Sequence, residues 1–134
     1  EYLDEKNGGT DLMGKTPEER AKTRMWTRRI DLQIIEPMTT GFRYAEGLEL
    51  FKTRMQTFPD AADGFKSIAK EKCSWLNEQM EGKEFVCGDR FSLADVMLFC
   101  FLNFGATVGQ AISEDCTNLL AWFERVKARS SASA

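Results

Sequence analysis

The 134-residue chain contains no histidine. That absence removes histidine general bases, Ser–His and Cys–His nucleophile pairs, and histidine-ligated zinc or haem iron, so no metal is expected. Proline is scarce, at three residues, which suits long helices. No apolar run reaches the roughly 18 residues of a membrane-spanning helix, and no basic-then-apolar start reads as a signal peptide. A membrane is therefore not an expected partner. The 18 basic side chains stand against 21 acidic ones, for a net charge of −3, and no lysine or arginine block stands out. A nucleic-acid groove has no support. The four cysteines, Cys73, Cys87, Cys100 and Cys116, lie a dozen or more residues apart with no C-x-x-C pair. Free, mostly buried thiols in a reducing cytoplasm are expected, because a zinc site needs close pairs and a disulfide scaffold needs a higher density.

What is present is the balance of one globular domain: 43% hydrophobic and 29% charged residues. The first residue is Glu1, so either the start was processed or the chain is part of a longer polypeptide. Residues 1–16 read as a connector, in which Tyr2-Leu3-Asp4-Glu5 ends a helix and Asn7-Gly8-Gly9 stops it. Thr16-Pro17-Glu18-Glu19 opens the next helix, with threonine as N-cap, proline in the first turn and two glutamates at the positive end of the dipole. It is predicted to run to about Thr39, bent or ended by Pro37. Its apolar residues fall on two faces: Ala21, Met25, Leu32 and Ile35 on one, Trp26, Ile30, Ile34 and Met38 broadly opposite. A helix of that kind is sandwiched between a core and a second surface, either another domain or a partner subunit.

Gly41 and Gly47 flank a weaker stretch, and residues 47–58 read helical from Leu48, Phe51 and Met55. Ala61, Phe65, Ile68, Cys73, Leu76 and Met80 then mark a further helix ending before Gly82. Ser92-Leu93-Ala94-Asp95 is a capping box, the strongest local signal in the chain. Residues 96–102 are apolar on every side, which predicts a fully buried central helix. A last helix opens at Thr117-Asn118, with Leu119, Leu120, Trp122, Phe123 and Val126 inward, and residues 130–134 read as a flexible tail. No segment alternates with a period of two. The fold class is all-α: a helical bundle of about five helices around a buried central helix.

The segment Phe85-Val86-Cys87-Gly88-Asp89-Arg90-Phe91-Ser92-Leu93-Ala94-Asp95-Val96 resembles the N-capping segment of glutathione transferases, of the form F-x-x-G-x-x-F/L/P-S/T-x-A-D-I/V. Leu12-Met13-Gly14, Pro17-Glu18-Glu19-Arg20-Ala21 and Met25-Trp26 resemble the start of that family's C-terminal all-helical domain. Residues 118–126 resemble its closing helix, and Tyr2-Leu3-Asp4-Glu5 the end of the helix that closes its first domain. The resemblance implies a helical domain over residues 17–129, joined by residues 1–16 to a thioredoxin-like domain that this sequence lacks. It implies glutathione as co-substrate, a small hydrophobic electrophile, a homodimer and a role in detoxification. The thioredoxin-like domain holds most of the glutathione site and the residue that activates its sulfur, so no catalytic residue is assigned here. The same fold also serves non-catalytic binding or scaffold modules, elongation-factor subunits among them.

Four candidate site residues follow from that resemblance. Arg28 matches a position whose polar side chain reaches across the dimer to the glutathione γ-glutamyl carboxylate. Its alternative is an ion pair with Glu18, Asp31 or Glu36 on a solvated stripe, which contributes about 0–1 kcal/mol. Ile35, Met38 and Phe42 match the family's hydrophobic electrophile pocket, with core packing as the alternative. Ser92 and Asp95 are read as structural capping residues and not as catalysts.

Overall fold

The computed structural model describes residues 1–132. Among these the chain is all-α, with a lone bridge between Phe85 and Gly88 and no named strand. The helices are α1 (Tyr2–Lys6), α2 (Pro17–Ile30), α3 (Glu36–Tyr44), α4 (Leu48–Phe51), α5 (Ala62–Gln79), α6 (Leu93–Thr107) and α7 (Thr117–Lys127). A π-helical turn, Asp31–Ile35, joins α2 to α3 without a break.

The start of α2 is built as its sequence demands. The Glu19 N–H donates to the Thr16 hydroxyl at 3.2 Å, and the Glu19 carboxylate accepts from the N–H groups of Thr16 and Lys15. Pro17 occupies the first turn, where no N–H is needed. Bonds from the two backbone amides hold the Glu19 carboxyl below its ordinary range. This cap is therefore at full strength at neutral pH and is lost as pH falls through the depressed Glu19 value.

The helix does not end near Thr39. Pro37 lacks an N–H and its ring crowds the carbonyl four residues back, but the wider π turn just before it relieves that crowding. The helix continues to Tyr44. The π turn also changes the register: Ile34 and Ile35 are both buried, so Ile35 leaves the second face and joins the core. Gly41 lies inside α3, not at its edge, because α5 crosses closely there. A Cβ at Gly41 would lie 2.7 Å from Lys66 Cγ and 3.3 Å from the Ala62 carbonyl oxygen. The helix expected over residues 47–58 shrinks to α4; Met55 stays exposed, and turns carry the chain to Pro59. No buried residue anchors α4, so its helical spacing has nothing to pack against.

The core joins Trp26, Ile30, Ile34 and Met38 of the first helical run to Leu76 of α5, Leu98 and Leu102 of α6, and Leu119 and Trp122 of α7. The central helix α6 is buried along one stripe only: Ala94, Asp95, Leu98, Leu102 and Gly105. Val96, Met97, Phe99 and Phe101 are half-buried and Cys100 is exposed, because α2 and α7 cover only part of its apolar circumference. Residues 1–16 are stitched to the bundle. The Leu93 N–H donates to the Leu12 carbonyl at 3.0 Å, and Met13 is buried. Ser130–Ala132 forms one 3₁₀ turn, and the remainder of the expected tail lies outside the described residues.

The Ser92–Asp95 capping box is present, and it does more than cap. Asp95 is fully buried. Its Oδ2 accepts from the Ser92 N–H and hydroxyl, both at 2.9 Å. Its Oδ1 accepts from the Val86 N–H at 2.8 Å and the Trp122 indole N–H at 2.9 Å. Asp95→Ala orphans several buried donors at once, so the expected loss rises from the 1–2 kcal/mol of an ordinary cap to about 3 kcal/mol or more. Urea unfolding of the two proteins measures it.

Candidate functional site

Of the second face read on α2, Ala21, Met25 and Leu32 are exposed, Met25 by 41% and Leu32 by 51%. Beside this face a cavity of about 420 Å³ opens between α2 and α6, with Met13, Leu93 and Met97 as its apolar wall. Arg24 and Arg28 stand at its edge. Arg24 binds the Glu1 carboxylate through two bonds, at 2.7 and 3.0 Å, and that contact holds the Glu1 carboxyl below its ordinary range. Arg28 pairs with Asp31 at 3.2 Å while 69% of its side chain stays exposed. The structure thus places Arg28 on the open face and gives its guanidinium a local carboxylate, with donors left over for a further anion.

Neither the α2–α6 cavity nor the one beside α5 is lined by all three residues of the expected electrophile pocket. Ile35 and Met38 belong to the core, at 5% and 2% exposure. Phe42 is half-buried, edge-on to Phe104 at 5.1 Å and to Phe51 at 6.1 Å. Met38 borders a second cavity, beside α5, whose lining includes neither Ile35 nor Phe42.

Arg90 carries a role that composition and spacing did not show. Its guanidinium donates to the Asp11 carbonyl at 2.6 Å and to the Thr23 hydroxyl at 2.5 Å, and it reaches the Leu12 and Glu19 carbonyls at 3.4 Å. It ties residues 11–12 to α2 from the loop before α6. Sequence offers no local signal for this beyond an arginine two residues before the Ser92 N-cap. Asn77 is a second such residue. Its side-chain oxygen accepts the Leu119 N–H at 3.0 Å, so α5 caps the first turn of α7. Trp26 packs on Trp75 with ring centroids 6.0 Å apart, and the cations of Arg29 and Lys83 each lie over the Trp26 ring.

All four cysteines are free; Cys73, Cys87 and Cys116 are buried and Cys100 is exposed. Burial, with Cys116 nearby as a lesser cause, pushes the Cys73 thiol up to about 12. Such a thiol stays protonated and unreactive at physiological pH.

Comparison with known proteins bears on these features together. The model of the family "Glutathione S-transferase, C-terminal domain" matches residues 56–130, more than half of the chain. The chain belongs to this family. Glutathione S-transferase 2 of Saccharomyces cerevisiae is 29% identical over 134 residues, a match that covers 98% of this chain and 56% of the yeast protein. The crystal structure of Gtt2 from the same yeast superposes with a TM-score of 0.86 at 27% identity, covering 98% of this chain and 64% of that one. A glutathione S-transferase domain-containing protein of Marinobacter aquaeolei gives 0.84 at 32% identity, with the same coverage. Elongation factor 1-gamma of Danio rerio is 26% identical over 114 residues, 84% of this chain and 24% of that protein. The chain thus spans little more than half the length of the yeast transferase it matches.

As a glutathione S-transferase C-terminal domain the chain has one accessible thiol among the four. At pH 8, 5,5′-dithiobis(2-nitrobenzoate) is expected to label Cys100 rapidly and Cys73, Cys87 and Cys116 only after denaturation. Cys100→Ser removes the fast phase.

Proposed function

We propose that this chain is the helical domain of a catalytic glutathione transferase and works with a thioredoxin-like domain in a dimer. The observation that carries the reading is the match to a yeast transferase along 98% of the chain. In the intact protein the thiolate of glutathione attacks an electrophile; a carbon–sulfur bond forms and the leaving group departs. The donor that acidifies the thiol lies in the thioredoxin-like domain. Residues 1–16 are the connector from that domain. The open face of α2 and α6, with Met25, Leu32 and Met97, supports burial against that domain or a second subunit, since an apolar stripe of this extent signals a contact surface. Arg28 on that face meets the γ-glutamyl carboxylate of glutathione. The electrophile lies against the run that carries Ile35, Met38 and Phe42, with Phe42 the most accessible of the three. The setting is cytoplasmic detoxification; among the described residues no helix is long and apolar enough to cross a membrane.

The relative among elongation factors favours a second reading, a non-catalytic scaffold module on the same bundle. Retention of the intact protein on glutathione resin, with conjugation of 1-chloro-2,4-dinitrobenzene above the uncatalysed rate, is the outcome the first reading requires. A properly folded intact protein that neither binds the resin nor turns over leaves the second. The 134-residue chain alone is expected to show no conjugation.

Arg28→Ala in the intact enzyme is expected to raise the KM for glutathione, or to weaken dimerisation if the anion belongs to the partner. Melting of the isolated domain should stay within about 0.5 kcal/mol of the parent, because the side chain is mostly solvated. Unchanged KM and unchanged dimer dissociation together leave Arg28 a solvated surface charge.

A further inference from the structure

The connector is fixed to the bundle from residue 11 onward, through the Arg90 bonds to residues 11–12 and the buried Met13. Before that point α1 carries no buried residue, and it is tied to α2 by two surface ion pairs, Arg20 with Glu5 and Arg24 with Glu1. Pairs of that kind contribute little and are screened by salt, so the end of α1 opens at small cost. That end is Asn7-Gly8-Gly9, exposed throughout. The Asn7 side-chain amide donates to the Leu3 carbonyl at 2.7 Å, and the N–H groups of Gly8 and Gly9 donate to the carbonyls of Glu5 and Asp4 at 3.1 and 2.8 Å. Gly8 has a φ of +91°, and even a Cβ there would meet nothing within 4 Å. Once the end of α1 opens, the Asn7 side-chain carbonyl therefore faces a backbone nitrogen that no side chain shields.

We propose that Asn7-Gly8 is a site of spontaneous deamidation that releases the end of α1. The Gly8 nitrogen gives up its proton and attacks the Asn7 side-chain carbonyl carbon. A nitrogen–carbon bond forms, the bond to the side-chain amide nitrogen breaks, and ammonia leaves with the proton. Water then opens the cyclic imide at either carbonyl, which puts aspartate or isoaspartate at position 7. Asn77, Asn103 and Asn118 lie inside α5, α6 and α7 and precede the bulkier Glu78, Phe104 and Leu119, so the reaction is confined to Asn7. The product does not rebuild the helix end. The amide that held the Leu3 carbonyl is gone, and a carboxylate stands at the negative end of the helix dipole, close to Asp4 and Glu5. The connector thus carries a one-way modification, whatever the intact protein catalyses.

The test ages the intact protein at pH 8. Mass spectrometry follows the peptide holding residues 7–8 beside those holding Asn77, Asn103 and Asn118, and enzymatic carboxyl methylation counts isoaspartate. Asn7 is expected to lose its amide about tenfold faster than the other three or more, and Gly8→Ala to slow that loss by about tenfold. Asn7→Asp, which carries the charge of the product, is expected to remove amide-exchange protection from residues 7–9 and to leave α5, α6 and α7 unchanged. An Asn7 amide that persists as long as the helical asparagines, a Gly8→Ala variant that reacts at the parent's rate, or unchanged exchange at residues 7–9 in Asn7→Asp would each overturn the proposal.

Discussion

Asp95 is the one fully buried charged side chain among the described residues, and the architecture around α6 depends on how its charge is satisfied. A carboxylate out of water destabilises a fold by several kcal/mol unless its lone pairs are filled. Here each oxygen accepts two bonds, and the donors come from three parts of the chain: the turn at Val86, the N-cap Ser92 and the indole of Trp122 on α7. One side chain therefore fixes where α6 begins, how the preceding loop folds under it and at what height α7 docks. The polar chain continues beyond the carboxylate. The Ser92 hydroxyl lies 3.4 Å from Cys87 Sγ, and Arg90 binds Thr23 and the carbonyls of residues 11–12. The start of the domain is thus anchored to the same buried network as its centre.

Much of this was legible in the residues. The Ser92–Asp95 spacing announces a cap, the apolar run after it announces a core helix, and the stripe from Phe65 to Met80 locates α5 because each signal is local. Three features were not legible. The π turn before Pro37 arises from a proline inside a helix that tertiary packing keeps intact, and propensity alone favours a break. The loss of helix after Phe51 reflects missing partners, which no window of sequence contains. The Trp122, Arg90 and Asn77 bonds link residues 27 to 79 positions apart, so no periodicity encodes them. The two-faced reading of α2 held for the core side. The opposite side is exposed in this chain, and Ile35 was moved out of it by the added residue of the π turn.

These differences bear on function. Arg28 lies on α2 before the π turn, and its side chain stands largely exposed beside Asp31. Of the pocket residues, Ile35 lies at the end of the π turn, whose added residue sends it inward, while Met38 is buried with the face it shares with Trp26, Ile30 and Ile34. The close packing of α3 on α5 at Gly41 adjoins the cavity beside α5, which Met38, Ala69, Cys73 and Leu102 line.

The central claim is that Asp95 and Trp122 act as one unit across α6 and α7. A double-mutant cycle with Asp95→Ala and Trp122→Phe, read by urea unfolding of the domain, measures this directly. The account predicts that the pair is coupled by about 1–2 kcal/mol, with the double variant less destabilised than the two single variants combined. Additive losses, within about 0.3 kcal/mol, would contradict it.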